Sequence, residues 1–340
     1  MPGVDRETVR VALIGAGAMA NRYHYPSLAT FPDVELAAIC DLVEDKARQT
    51  AARLGIAGEH VYSDYRRMLS EVQPQAVYVL MPPQHVFEPA MAVLKQGRHL
   101  FVEKPLALTT NQARELAYTA GMHDCLTMVG FQRRHIPAVT ALRRRVEERG
   151  PIYFAEVAFL KSTRDLAAGT RFYDGAIDPL TSDGIHAVDN LRWLCGGEVE
   201  EVHASVRRRF VPGPTANTFF AQVSFSSGAV GTVHYNLVTG RRVFRTEFHG
   251  PNITAYVDAD RESWLVADDG RQESQSSQEY GRTSLREGEE LKEFHWLGFW
   301  QESRHFIDSI KAGQQPTSHF ADAVKSMELV ERIWRAAPRE

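Results

Sequence analysis

From residue 10 to residue 130 the chain repeats one pattern: a short, unbroken apolar run, then a stretch whose apolar residues recur at helical spacing. The apolar runs are Arg10–Ile14, Val34–Cys40, Ala76–Leu80, His99–Val102 and Leu126–Val129. Unbroken runs of this length suit strands buried on both faces of a parallel sheet. Between them, Glu44–Leu54 (stopped by Gly55), Tyr65–Val72, Val86–Gln96 (with Gly97 beyond its end) and a segment starting near Thr109 and Thr110 read as helices, and His60–Tyr62 as a further short strand. Strands alternating with helices predict a doubly wound, mostly parallel sheet that ends near residue 130.

The pattern changes after Gly150-Pro151. Tyr153–Leu160 alternates like a half-buried strand, and the polar, glycine-containing stretch from Lys161 to Pro179 follows. Ile185, Val188, Leu191 and Leu194 then recur at helical spacing, so the segment Leu180–Leu194 is expected to carry an amphipathic helix that starts at an N-cap of Ser182 or Asp183 and is stopped by Gly196 and Gly197. Val202–Phe210, Phe219–Phe225, Ala229–Asn236, Arg245–His249 and Ile253–Val257 read as strands with no helix between them, which predicts an antiparallel sheet. One or two helices cannot cover both faces of that sheet, so its other face is expected to meet a second subunit. Within Glu262–Lys292 the polar, Ser/Gln-rich stretch Gln272–Gln278 reads as a surface loop, and Phe299–Ile310 and Ala321–Trp334 read as closing amphipathic helices.

The length, 340 residues, exceeds one ordinary hydrophobic core and points to two domains, 1–130 and 131–340, with the closing helices packing partly back on the first. The composition, 44% hydrophobic and 24% charged, is that of a soluble globular chain. A net charge of −4 removes the overall basic bias of a nucleic-acid binder, and Arg143–Arg145 and Arg207–Arg209 read as solvated faces or local ion pairs. No apolar stretch approaches the ~20 residues a bilayer requires. The three cysteines, Cys40, Cys125 and Cys195, are odd in number and sit among apolar neighbours, which suggests buried thiols and a cytoplasmic protein. No His/Cys spacing resembles a metal site.

Candidate chemistry concentrates at the expected strand ends. Gly15-Ala-Gly-Ala-Met-Ala20 follows the first strand and has the Gly-x-Gly-x-x-Ala form of a dinucleotide fingerprint. Gly15 serves the tight turn, Gly17 the close approach of backbone to pyrophosphate, and Ala20 close helix packing; Ala18 and Met19 complete the loop. Asp41 ends the second strand, where a carboxylate accepts from both ribose hydroxyls and repels a 2′-phosphate, so NAD is favoured over NADP. Pro82 and Pro83 end the next strand and aim Gln84 and His85 at the crevice, as a nicotinamide-pocket residue or as a helix cap in the case of His85. Glu103 and Lys104, followed by Pro105, are carried to the same crevice by the His99–Val102 strand, and Lys104 is the leading catalytic candidate. In the second half, His186 is expected in the first turn of its helix. There the amide dipoles would keep the imidazole neutral and fit to accept a hydroxyl proton, with Asp183 three residues earlier to orient it. Lys161, Arg164 and Arg171 are candidates for binding an acidic sugar or nucleotide diphosphate.

With the fingerprint, Glu103-Lys104-Pro105 and the His186 helix in this order, the chain resembles the glucose–fructose oxidoreductase / inositol dehydrogenase / MocA family. The resemblance extends to Gly130-Phe131-Gln132-Arg133-Arg134 and to the closing Phe306-Ile307-Asp308-Ser309-Ile310 helix. It implies an N-terminal Rossmann domain and a C-terminal α+β domain with an open, mostly antiparallel sheet used to form a homodimer or homotetramer. It also implies hydride transfer at a carbon of a sugar, sugar derivative or cyclitol. It assigns Lys104 to orienting and polarising the reacting oxygen and His186 to proton transfer; Gln132, Arg133 and Lys161 are further candidates for the substrate site, and Asp183 either reaches that site or only caps the helix. Two positions depart from the family pattern: Ser182 stands where an aspartate is usual four residues before the histidine, and Gln132 replaces an asparagine. The same parts are also compatible with an NAD-assisted glycoside-cleaving enzyme that oxidises its substrate transiently, and with a non-catalytic NAD- and sugar-binding regulator.

Overall fold

The computed structural model describes residues 8–162, 175–210 and 216–338. The chain divides into two compact units, Met1–Gly130 with Phe299–Val324, and Phe131–Gly298 with Lys325–Glu340.

In the first unit β1 (Val9–Ile14), β2 (Val34–Cys40), β3 (Val61–Tyr62), β4 (Ala76–Val79), β5 (His99–Glu103) and β6 (Thr127–Gly130) form one sheet in the order β3-β2-β1-β4-β5-β6, and every pairing is parallel. This is the doubly wound order, with the strand sequence reversing between β1 and β4. Helices α1 (Tyr25–Leu28), α2 (Glu44–Leu54), α3 (Tyr65–Val72), α4 (Phe87–Lys95) and α5 (Thr110–Met122) alternate with the strands. Their ends follow local chemistry. Gly55, left-handed at φ 73°, stops α2, and the Asp64 and Thr109 side chains accept backbone N–H groups at the starts of α3 and α5.

The second unit opens with α6 (Pro137–Glu147), β7 (Phe154–Leu160) and α7 (Ile185–Cys195); Arg164 and Arg171 lie outside the described residues. Seven further strands follow: β8 (Val199–Arg207), β9 (Thr218–Phe225), β10 (Val230–Asn236), β11 (Val243–Gly250), β12 (Ile253–Asp258), β13 (Glu262–Ala267) and β14 (Gln272–Ser276). With β7 they make a sheet in the order β14-β13-β12-β11-β7-β10-β9-β8, antiparallel except where β7 pairs with β10. Helices α6 and α7 pack on it. Short helices α8 (Ser277–Arg282) and α9 (Glu293–Trp296) complete the unit.

Two expectations are corrected here. Gln272–Gln278 is not a loop: Gln272–Ser276 is strand β14, paired with β13 around a turn at Asp269-Gly270, and Ser276 caps α8 in a reciprocal box with Glu279. Its polar composition is that of an edge strand, exposed on both sides, where apolar residues would invite aggregation. Strand β8 runs from Val199 to Arg207 rather than from Val202 to Phe210.

Two long helices close the chain, α10 (Phe299–Ala312) and α11 (Phe320–Ala336). Phe306 and Ile307 of α10 are fully buried in the core of the first unit with Leu13, Ile39, Tyr78 and Phe101. No helix among the described residues is long and apolar enough to cross a membrane. All three cysteines are buried and free.

The α10 helix is also held by charge. Asp33, nearly buried before β2, accepts from Arg304 at 2.8 and 3.2 Å and from Lys311 at 2.7 Å. Burial alone would raise the Asp33 carboxyl, but these two cations outweigh it and hold the group well below the usual carboxylate range. A depressed carboxyl stabilises the fold above its unfolded pKa of about 3.9, and that stability is lost as pH falls through the folded value. Asp33→Asn is therefore expected to cost about 1.5–3 kcal/mol at neutral pH, with the gap from wild type closing below about pH 4. Urea midpoints measured across that range check it.

Candidate active site

In the first unit the candidates meet at the carboxyl edge of the sheet. Gly15 leaves β1 at φ 100°, and a side chain there would sit 2.3 Å from the Leu80 carbonyl oxygen, so only glycine fits. Gly17 and the helical Ala18 and Met19 are exposed, Ala20 is buried beneath them, and nothing lies within 4 Å of the place a Gly17 side chain would take. A π-helical turn, Ala20–His24, then leads into α1, and such turns recur at functional sites. Tyr25 donates its hydroxyl to the Gly15 carbonyl and clamps the loop from below. Asp41 holds it from the side, accepting Ala16 N–H at 2.7 Å on one oxygen and Val43 N–H at 2.8 Å on the other. Its remaining lone pairs can accept ribose hydroxyls, so the loop and the carboxylate fit a dinucleotide.

The two neighbouring strand ends carry the other candidates. Pro82, exposed at the start of the 3₁₀ turn Pro83–His85 that follows β4, and His85, exposed at its end, flank the buried Pro83. Glu103 and Lys104 end β5, both half-buried, and the Lys104 N–H donates to Glu103 Oε2 at 3.0 Å. Glu103 Oε1 lies 2.6 Å from His24 Nε2. Burial would raise the Glu103 carboxyl, yet the His24 hydrogen bond and charge, with Lys104 beside it, hold it below its ordinary value. His24 was not among the sequence candidates. A histidine nine residues past Gly15 carries no spacing signal of its own, and only the sheet brings it to Glu103.

In the second unit, Gln132, Arg133 and Arg134 share the buried 3₁₀ turn Gln132–His135. Arg134 turns inward to a bidentate pair with Asp189 of α7, its Nε 2.7 Å from Oδ2, and Ser326 donates to the same carboxylate. Arg133 lies over the Phe244 ring at 4.3 Å and near Phe159 at 5.9 Å. Phe159 also has Lys161 at 5.1 Å and the His186 ring edge-on at 6.4 Å, so it gathers three of the candidates around one aromatic ring. Lys161 forms an ion pair of 2.5 Å with Asp183, which also accepts the Tyr235 hydroxyl at 3.1 Å. Burial, then the Asp183 charge, pushes the Tyr235 phenol well above its usual range, so it remains a donor. Tyr235 comes from the inward face of β10 and was missed because strand alternation alone marks it as core.

The His186 helix begins earlier than its apolar pattern suggests. Asp178 is the cap: it accepts Thr181 N–H at 3.0 Å, and Ser182 and Asp183 lie inside a π-helical turn, Leu180–Gly184, that runs directly into α7. His186, 5% exposed, therefore stands well inside continuous helical backbone. The terminal-dipole argument for a neutral imidazole does not apply there, because that effect fades beyond the first turn. Gly184 is required by the packing: a side chain on it would meet the Tyr235 ring at 2.6 Å.

Comparison with known proteins follows this geometry. A family model for a Gfo/Idh/MocA oxidoreductase with an NAD-binding Rossmann fold matches residues 9–131, and the model of the Gfo/Idh/MocA C-terminal domain matches 139–255. The D-glucoside 3-dehydrogenase of Escherichia coli (strain K12) is 31% identical over 200 residues, a match spanning 55% of this chain and 54% of that protein. The myo-inositol 2-dehydrogenase of Thermotoga maritima is 27% identical over 317 residues, 91% of this chain and 90% of its own length. A levoglucosan dehydrogenase solved with NADH and levoglucosan has the same fold, at a TM-score of 0.83, 22% identity and 97% coverage of both chains. The nucleotide fingerprint, the strand-end lysine and the histidine helix thus stand within two successive domain matches, and the chain belongs to the Gfo/Idh/MocA oxidoreductase family.

Proposed function

We propose that this protein is an NAD-dependent dehydrogenase, or the reverse ketoreductase, acting on a carbinol or keto carbon of a sugar, sugar derivative or cyclitol. The observation that carries the proposal is the single edge of the first sheet shared by the open Gly15–Ala20 loop, the anchored Asp41 carboxylate and Lys104. The first unit is the cofactor unit on this reading, with Pro82 and His85 beside the nicotinamide and Glu103 behind Lys104; the second unit is the substrate unit. NAD, when bound, supplies the acceptor of hydride in oxidation and its donor in reduction.

Lys104 holds the reacting oxygen by hydrogen bond and charge, which favours the alkoxide character that develops as the C–H bond weakens. His186 accepts the hydroxyl proton in oxidation and returns it in reduction. Asp183 is a positioning carboxylate: with Lys161 on one side and the Tyr235 hydroxyl on the other, it orders the polar side of the Phe159 ring. Gln132 and Arg133 supply substrate contacts from the neighbouring turn. The sheet face that α6 and α7 do not cover, which includes the exposed Phe220, is the surface through which two copies pair.

NADH formation, followed by absorbance with NAD and a panel of inositols, aldoses and uronic sugars, tests the function. Net reduction of free NAD is the expected result. Substrate cleavage without it identifies transient oxidation instead, and neither, from protein that binds NAD, overturns the enzyme reading. Lys104→Ala is expected to lower kcat/KM about 10²–10³-fold while leaving NAD affinity within a few-fold, checked by steady-state kinetics and NAD titration. Asp41→Ala is expected to raise KM for NAD about tenfold, from the lost charge-assisted ribose hydrogen bonds, and to narrow the preference over NADP; equal use of both cofactors by wild type would contradict it.

A further inference from the structure

The first unit contains a row of three titratable groups, of which the proposed reaction places only Glu103, behind Lys104. His24 is fully buried, with Nε2 2.6 Å from Glu103 Oε1 and Nδ1 3.8 Å from Glu302 Oε1. Glu302, on α10, is itself fully buried, and among the described residues neither of its oxygens nor His24 Nδ1 has a hydrogen-bond partner. Phe101 and Phe299 close on the imidazole edge-on at 5.4 and 5.2 Å, so the ring faces a carboxyl on each nitrogen and hydrocarbon elsewhere. The other titratable groups near the row are Lys104 beside Glu103, Tyr78 of β4 near Glu302, and Tyr25 of the same helical segment, whose hydroxyl is committed to Gly15.

Two carboxylates cannot both stay charged in such a pocket on one compensating cation; with Lys104 beside Glu103, Glu302 can be charged as well only when His24 is protonated. Burial, then repulsion from Glu103, pushes Glu302 well above the usual carboxyl range, whereas Glu103 is held below it. One negative charge therefore sits on Glu103, and His24 Nδ1 and Glu302, 3.8 Å apart and so beyond direct hydrogen-bond distance, compete for one proton. Proton count and charge are the same whether that proton rests on the imidazole, opposite a Glu302 carboxylate, or on Glu302 beside a neutral ring. In either arrangement Nε2–H donates to Glu103, whose second oxygen accepts the Lys104 backbone N–H.

We propose that His24 is a positioning residue for Lys104: backed by Glu302, it keeps a proton on Nε2, which holds the Glu103 carboxylate ionised and so fixes the backbone from which Lys104 projects. The proposal rests on the reading of Lys104 as the residue that holds the reacting oxygen. It also ties the nucleotide loop to the catalytic strand end, because His24 ends the turn that begins at Ala20.

The test has an arm that needs no turnover. In protein labelled with ¹⁵N-histidine, the His24 resonance, assigned by its loss in His24→Gln, is expected to show a protonated Nε2 throughout the neutral range and an Nδ1 that is partly protonated. Glu302→Gln, which can donate an amide N–H to Nδ1, should turn that nitrogen into a plain acceptor. A bare Nε2 in wild type, or an Nδ1 signal that Glu302→Gln leaves unchanged, overturns the inference. In the kinetic arm, His24→Leu is expected to lower kcat about 10–100-fold with KM for NAD little altered. It should also move the acidic limb of kcat/KM to higher pH, because an unpaired buried Glu103 protonates more readily. His24→Gln, whose amide can still donate to Glu103, should recover most of kcat and return the limb. A fall in kcat with an unmoved limb, or no recovery in His24→Gln, would mean that His24 only fills space. Failure of the dehydrogenase reading shows separately, as wild-type protein that reduces no NAD.

Discussion

The close passage of the Gly15 backbone beneath the Leu80 carbonyl is the constraint on which the first unit depends. It places the end of β1 hard against the end of β4, at the point where strand order reverses and a doubly wound sheet opens its crevice. Three further ties are made to the same loop or to the segment leaving it. Asp41 accepts from Ala16, Tyr25 donates to Gly15, and His24 reaches across to Glu103 two strands away. A loop built this way is ordered before any ligand arrives, so a dinucleotide would meet N–H groups and a carboxylate already in position.

The second unit solves a different problem, that of holding basic and acidic side chains close to a buried aromatic ring. The Arg134–Asp189 pair is almost wholly buried and is closed by Ser326, which pins the 3₁₀ turn after Phe131 to the middle of α7. That pin fixes where Arg133 and His186 stand relative to Phe159. Breaking such a pair leaves a charge without compensation, a cost of about 3–5 kcal/mol, so the turn and the helix are held as one body.

Much of this was readable beforehand because it depends on local periodicity. The strands of the first sheet are continuous apolar runs and its helices are amphipathic, so alternation predicted the architecture. The fingerprint, Asp41 and Lys104 fall at strand ends by simple counting. The β13–β14 hairpin was not readable, because an edge strand is stabilised by a neighbour's backbone and carries polar residues that resemble a loop. Nor was the start of the His186 helix, since a π-helical turn breaks the 3.6-residue spacing on which periodicity relies. Tyr235 and Phe159 looked like ordinary inward strand residues, and their contacts with Asp183 and Arg133 arise only between elements.

The amino-acid sequence alone determined which segments are strands, which are helices, and which residue types end them, because those choices follow from backbone propensity and from where apolar side chains recur. Only the tertiary structure decided what those ends do to one another. The sequence separates His24, Glu103 and Glu302 by 79 and 199 residues, and no pattern links them until the sheet and α10 bring them together in one dry pocket. There, low dielectric and competition for one proton set their charges, and those are properties of a neighbourhood that no single segment contains.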